Sequence, residues 1–560
     1  MTYNNECKRE LETRLAKLGV HRAHGMYVGT VHGFCFQQIV VPFARAAGIS
    51  LSDSIVPASS QKGAKHFENA AGAIFGASRP SDLEKSVKAY RLEKTLAAAG
   101  APVAKNAAVS HFAAALQKQI ADTAELYVSS LRVEGLIDFD DMTLLALELL
   151  SQHDWVRQAT WAKFPILLID EYQDLGPVLH QIVRILIEQT KIRLLAVGDP
   201  DQSMYGFAGA KPELLMSLST LAGVEVVRLP FNYRFGSTIA RASEAALGEL
   251  RDYVCKSEYA GTVDLHECKG GIGDQADFIC KTIIPGALAR EKAGGHTRVL
   301  GDIAVLYSDK NVGNVIAAAA SANGYSFQRI DAGAPYVKSQ LMRWVEDCAA
   351  WCSGGWIQVT PKLGDLLNSW RWYADKHIER DAARERDLRL VEFLKQNRFT
   401  SHEAESVSLA EWFGALWSQC LSVAFEASHL SEEKSEMEKM LGLSARGGSL
   451  EGMSLFNFAG QRGAPESLNL LTLHSAKGLE FDVIVIMGAD EGQMPSARDN
   501  TDAAIRESRR KFYVGVTRAK REVHITYSGW YKDNWKRREN GPSRFVNEIR
   551  TRLLAHAAEA

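Results

Sequence analysis

The chain has 560 residues, 46% hydrophobic and 24% charged, with 65 Lys plus Arg against 67 Asp plus Glu. That length exceeds a single hydrophobic core and suggests about three to four domains, while the ordinary composition excludes a disordered or fibrous chain. A formal net charge of −2 excludes a globally basic surface, so any grip on nucleic acid must come from local stripes.

The opening stretch MTYNNECKRELETRL reads as an extended start, then Asn4 and Asn5 as turn or cap residues, then a polar helix with Leu11 and Leu15 on one stripe. Glu6, Lys8, Arg9 and Glu10 break any signal-peptide pattern, and no apolar run approaches the ~20 residues of a membrane helix. A soluble, cytoplasmic protein is expected. Residues from about 50 to 130 are Ala-rich and helical. Ile166 to Ile169 then forms a short apolar run before Asp170, and a helical pattern, LHQIVRILIEQ, follows Pro177. Leu194 to Val197 is a second such run, ending in Gly198 and Asp199. Ile303 to Leu306 and Val483 to Ile486 are two more. Runs of this length bounded by turns read as buried parallel strands. Their alternation with helices predicts an α/β fold with right-handed crossovers. Residues from about 345 to 460 interrupt that pattern with charged helices, read as a second insertion. The eight cysteines are scattered. Cys348 and Cys352 lie one helical turn apart with no second pair at metal-ligand spacing, so free buried thiols are expected.

Chemistry concentrates in ILLIDEYQD, Ile166 to Asp174. A buried strand there delivers Asp170 and Glu171 at its C-terminal edge, where ligands bind in open α/β sheets. A hydrated Mg²⁺ takes one or two carboxylates plus phosphate oxygens, and the second acid can orient a water for attack on a phosphoryl group. An acid pair alone is commonly a solvated turn. The next strand repeats the arrangement in LLAVGDPDQSMYGFAGA, where Gln202 can hydrogen-bond a terminal phosphate. Tyr205 and Phe207, flanked by glycines, suit a loop on which bases stack.

These two stretches resemble motifs II and III of the UvrD/Rep/PcrA group of superfamily 1 DNA helicases. Further stretches are similar to the family's other motifs, in its order: TYNNECKREL to Ia, YVGTVHGFC to Ib, IDFDDM to the segment before motif II, LPFNYRFGSTI to IV, LLTLHSAKGLEFDVIVIMG to V and ESRRKFYVGVTRAK to VI. SRFVNEI resembles the terminal helix. The resemblance implies two RecA-like parallel-sheet domains, each with a helical insertion. It places the first in residues 1–48 and 130–235 with its insertion in 49–129. The second falls in 236–345 and 462–560 with a short insertion in 346–461. It implies an ATP-dependent 3′→5′ helicase or translocase using ATP and Mg²⁺ on single-stranded DNA and its junctions with duplex. By motif, Asp170 would hold Mg²⁺, Glu171 would activate water and Gln202 would sense the γ-phosphate. Arg234 and Arg518 would be arginine fingers, Tyr233 would stack on adenine and Glu480 would hold the ribose. Tyr3, Thr30, His32, Tyr205, Phe207 and His474 would line the single-strand track.

Three departures stand out. Phe207-Ala208 and Ser308 replace a Trp-Arg pair and an Arg common in the family, which weakens the grip on DNA. No G-x-x-x-x-G-K-[ST] phosphate loop occurs in the 560 residues. Its absence predicts a first domain with an open apolar sheet edge or face and impaired ATP hydrolysis. An N-terminally truncated chain is the expected reason. The rival is a non-hydrolysing DNA-binding or regulatory subunit acting with a nuclease, repair or phage-defence partner.

Overall fold

Short apolar strands and amphipathic helices alternate through the protein. A computed structural model describes residues 1–2, 11, 15, 26–49, 51, 55–58, 60–76, 79–100, 114–204, 210–290, 297–331, 336, 340–358, 361–374, 380–422, 431–448, 450–460, 467–533 and 536–559. Most of the opening stretch, Asn4, Asn5 and Cys7 included, lies outside the described residues. Contacts divide the chain into two units, Met1–Glu225 with Phe425–Ser435, and Val226–Ala424 with Glu436–Ala560.

The second unit is built on a six-stranded sheet. Its order is Thr262–Glu267, Ala519–Tyr527, Phe481–Ile486, Ile303–Tyr307, Leu468–Thr472, Phe327–Ile330. Every neighbouring pair is parallel. Central strands of such a sheet are covered on both faces and read as unbroken apolar runs. Ile303–Tyr307 is buried at all five positions, as its sequence predicts. Two cores flank the sheet. One gathers Phe512, Phe545, Ile484 and Ile525, and the other gathers Ile279, Ile316, Val305 and Val485. The region from 340 onward adds helices Gln340–Cys352, Leu363–Ala374, Arg380–Gln396 and Leu409–Leu416 around stacked Trp344 and Trp370, 5.0 Å apart. Cys348 and Cys352 are buried free thiols there, and burial pushes Cys352 up to about 12.

In the first unit, Ile166–Ile169 pairs in parallel with Arg193–Ala196. Met1 also lies alongside Ile166–Ile169: Met1 N donates to Leu168 O at 2.6 Å and Asp170 N donates to Met1 O at 2.9 Å. Thr2 in turn bridges Thr30 in parallel. Helix Pro177–Gln189 starts with Pro in its first turn, where no N–H is needed, and buries Val178, Leu179, Ile182, Val183, Ile185 and Leu186. Helix Phe139–Gln152 is capped by Asp138, which accepts from Asp141 N at 2.6 Å, and supplies five buried leucines to the same core. Arg91, from the helical segment Leu83–Ala98, closes on Asp138 at 2.8 Å.

Burial on both faces fails for the first unit's strands. Leu167 and Ile169 are 3% and 1% exposed, but Ile166 and Leu168 are 49% and 56% exposed. On the neighbouring strand Leu195 and Val197 are 57% and 43% exposed. Successive strand residues point to opposite faces, so one whole apolar face lies open. Isolated exposed apolar residues are ordinary; these four on one side of two paired strands form a patch.

Buried His180 ties this core to the motif II segment. Its Nδ1 lies 2.9 Å from the Tyr172 hydroxyl, and burial, then the Arg184 charge, lowers its pKa from 6.5 to about 4. The native state therefore favours neutral imidazole. Its contribution is full above the unfolded value of 6.5 and erodes as pH falls toward 4. The urea midpoint of the first unit should drop between these pH values, and His180→Gln should flatten that drop; an unchanged slope would reject it.

Candidate nucleotide site

The first unit places its acids where the sequence reading expects them. Asp170 caps the Ile166–Ile169 strand, and Glu171 N donates to Asp170 Oδ1 at 2.9 Å. Glu171 adopts φ 56 and ψ 40, a left-handed conformation that costs a non-glycine residue roughly 1 kcal/mol. This left-handed residue ends the strand's alternation at Glu171. The chain then enters the single turn Tyr172–Asp174, and Tyr172 N donates to Val197 O at 3.0 Å, binding the two strand ends together. Beyond Val197, Asp199 N-caps the turn Pro200–Gln202, accepting from Asp201 N at 3.1 Å. Gln202 Nε2 donates to Asp199 Oδ2 at 3.0 Å. Asp170, Glu171 and Gln202 thus sit together at the C-terminal ends of two adjoining parallel strands.

The donor set suits a cation that shares its shell with a ligand. Among the described residues no three His, Cys, Asp or Glu side chains converge into a metal cage. A carboxylate at an open strand end fits Mg²⁺, which keeps several waters and takes phosphate oxygens.

Of the residues expected along a single-strand track, Tyr3, Tyr205 and Phe207 lie outside the described residues. Thr30 caps helix Val31–Phe34, accepting from Gly33 N at 3.0 Å. His32, on that helix, meets Phe139 edge-on at 6.3 Å, and desolvation lowers its pKa.

The second unit gathers a different set, at the starts of strands rather than their ends. Glu480 precedes Phe481–Ile486, and Arg518 precedes Ala519–Tyr527. Arg234 Nε donates to Glu480 Oε2 at 3.0 Å and its Nη1 to Thr517 O at 3.1 Å. Lys520 Nζ holds the other Glu480 oxygen at 2.8 Å. Partial burial pushes the Glu480 carboxyl up, but Lys520 and Arg234 outweigh it and hold the group below the usual range. Arg518 is buried, with Nε donating to Val514 O at 3.0 Å and Nη2 to Thr517 Oγ1 at 3.1 Å. Tyr233 is 74% exposed, open for stacking. A cavity of about 380 Å³ opens here, lined by Arg234, Tyr259, Glu480, Asp482, Lys520 and Arg521. His474 is half-buried. Burial, then the Lys511 charge, brings it to about 4, so it is neutral near pH 7.

Two residues escaped the sequence reading although their motifs were quoted. Gln173 lies inside DEYQD, and its side chain touches both Glu171 and the Asp199 backbone. Lys520 ends VGVTRAK and anchors Glu480. Sequence alone carried no signal for Gln173, whose partners are set by the fold.

Comparison with known proteins gives two family matches. Residues 1–222 match the UvrD/REP helicase N-terminal domain, and residues 420–529 match the UvrD-like helicase C-terminal domain. The chain is 24% identical to the ATP-dependent DNA helicase PcrA of Bacillus subtilis over 611 aligned positions, covering 100% of this chain and 80% of that protein. It is 25% identical to DNA helicase II of Rickettsia typhi, covering 76% of this chain and 70% of that protein. To the ATP-dependent DNA helicase Rep of Salmonella typhimurium it is 26% identical, covering 76% and 69%.

Proposed function

Because this chain belongs to the UvrD/Rep/PcrA family of DNA helicases, we propose that it serves as an ATP-dependent 3′→5′ helicase and single-strand DNA translocase. The observation that carries this reading is the grouping of Asp170, Glu171 and Gln202 at two adjoining strand ends. Asp170 would hold Mg²⁺, which would neutralise charge on the transferred phosphoryl group. Glu171 would orient the attacking water, and Gln202 would contact the terminal phosphate. In the second unit, Arg234 and Arg518 would stabilise the charge of the transition state, a contribution of about 10³–10⁵ in rate. Glu480 would take the ribose hydroxyls and Tyr233 the adenine face. On this reading nucleotide must draw Arg234 away from Glu480, and Arg518 out of its carbonyl contacts.

Residues 1–48 and 130–235 would form the first RecA-like domain, with 236–345 and 462–560 forming the second. Thr30, His32 and His474, with Tyr3, Tyr205 and Phe207, would line the DNA path. Both histidines have depressed pKa values, so they would act as neutral hydrogen-bonding and stacking groups, not as phosphate-pairing cations. Among the described residues no helix is long and apolar enough to cross a membrane.

Binding of fluorescent single-stranded 20-mers to the full chain tests the proposal without requiring turnover. Affinity should vary less than about threefold among shuffled sequences and fall steeply with salt, because backbone and base faces carry the grip. A marked preference for one sequence, or no binding to single strands, would overturn it. The alternative reading is a DNA-binding or regulatory subunit that does not hydrolyse ATP. Normal DNA binding with no turnover from any natural form of the protein would select it.

A further inference from the structure

We propose that Gln173 is a positioning residue that ties the Glu171 carboxylate to the Asp199–Gln202 turn, so that a change at Gln202 is transmitted to Glu171. The proposal rests on the reading of Glu171 as the water-orienting group and Gln202 as the phosphate contact. Gln173 is 1% exposed. Its Nε2 donates to Glu171 Oε2 at 2.5 Å, and its Oε1 accepts from Asp199 N at 3.1 Å. The orientation of the amide follows from chemistry: an ionised carboxylate can only accept and a backbone N–H can only donate. Among side chains of this length, only a glutamine offers a donor to one loop and an acceptor to the other. The path continues through Asp199, whose Oδ2 accepts from Gln202 Nε2 at 3.0 Å. Ser203 Oγ fastens the far side of the turn by donating to Gln173 O at 3.3 Å.

The surrounding backbone is shaped for this contact. A Cβ on Gly198 would overlap Gln173 Oε1 and come within 3.2 Å of Tyr172 N. Glycine lets the second strand end approach the clasp. Glu171, in its left-handed turn, has its carboxylate tied by the Gln173 amide. Buried amide links of this kind restrict both partners at once, because breaking one end leaves a polar group unpaired.

Hydrogen exchange on the full 560-residue chain reads the clasp directly. Gln173→Leu should speed exchange about tenfold in peptides covering residues 171–174 and 198–203 alike, since it removes both ends. Gln173→Glu keeps the acceptor for Asp199 N–H but sets two carboxylates against each other. Near pH 7 it should loosen 171–174 while 198–203 stays at the wild-type rate. A purely structural glutamine would give no such split. Transmission is tested by Gln202→Ala, which should speed exchange at 171–174 severalfold in the wild-type background and have no added effect beside Gln173→Leu. The proposal falls if Gln173→Glu loosens both segments equally, or if Gln202→Ala leaves 171–174 unchanged. These results concern the clasp alone. Loss of single-strand binding with the split intact would overturn the helicase reading instead.

Discussion

The polypeptide of these 560 residues, purified alone with single-stranded DNA, is expected to hydrolyse ATP at no more than about a thousandth of the rate of the same polypeptide preceded by a strand and a G-x-x-x-x-G-K-T loop. The comparison holds irrespective of where the natural protein begins. Triphosphate binding in phosphate-loop enzymes depends on a row of backbone N–H groups, a lysine on the β- and γ-phosphates, and a hydroxyl on Mg²⁺. The acids at Asp170 and Glu171 and the amide at Gln202 supply none of these. They can orient water and metal only around a triphosphate that something else holds. The open apolar face of Ile166, Leu168, Leu195 and Val197 gives the physical counterpart. An added strand that paired edge-on with this sheet would bring its loop to the end where Asp170 and Glu171 stand, and the helix after it could cover this face. Steady-state phosphate release by the two polypeptides decides the matter. Equal, DNA-stimulated rates would show that residues other than such a loop hold the phosphates.

The pattern of strands was legible because burial dictates composition. Ile166–Ile169, Ile303–Tyr307 and Phe481–Ile486 appear within two residues of the sequence reading, since each carries an unbroken apolar run between turns. Four strands of the six-stranded sheet were not singled out, Leu468–Thr472 among them. Thr262–Glu267 and Phe327–Ile330 are the two edges of the sheet and carry polar residues that interrupt any apolar run. Ala519–Tyr527 is interior but holds Lys520, Arg521, Glu522 and His524, so its sequence lacks a clean run. The opposite error occurred at Ile166 and Leu168, whose hydrophobicity implied burial that the fold does not provide. Catalytic acids were readable because their motif places them at a strand end. Their ties were less so, because Gln173 is defined by what it reaches across the fold, not by its neighbours in sequence.

Arg298→Ala is expected to destabilise the second unit by about 3–5 kcal/mol, a loss that follows from where its partners lie. Arg298 is buried, with its side chain 2% exposed and 2.5 Å from both Asp482 and Glu522. These carboxylates stand on the neighbouring strands Phe481–Ile486 and Ala519–Tyr527, where Val483 pairs with Glu522. Truncation would leave two buried acids facing each other. Arg290, 2.7 Å from Glu522, and Arg521, 3.6 Å from Asp482, would relieve part of the cost. Burial alone would push the Glu522 carboxyl up, but hydrogen bonds from His524 and Arg298 and the arginine charges bring it down to about 2. Its stabilising contribution is therefore complete above the ordinary value of 4.5 and disappears as pH falls toward 2. Without Arg298 the same carboxyl should rise, so protonation in mild acid relieves the variant while it costs the wild type. The stability gap measured by urea unfolding should be wide at pH 7 and narrow near pH 4. Replacing all three groups with Met, Asn and Gln should recover most of the loss, since no unpaired charge remains. The same two strands begin immediately after Glu480 and Arg518. A gap that is small, or that does not change with pH, would mean that the strand starts carrying those residues are held by packing rather than by this buried charge.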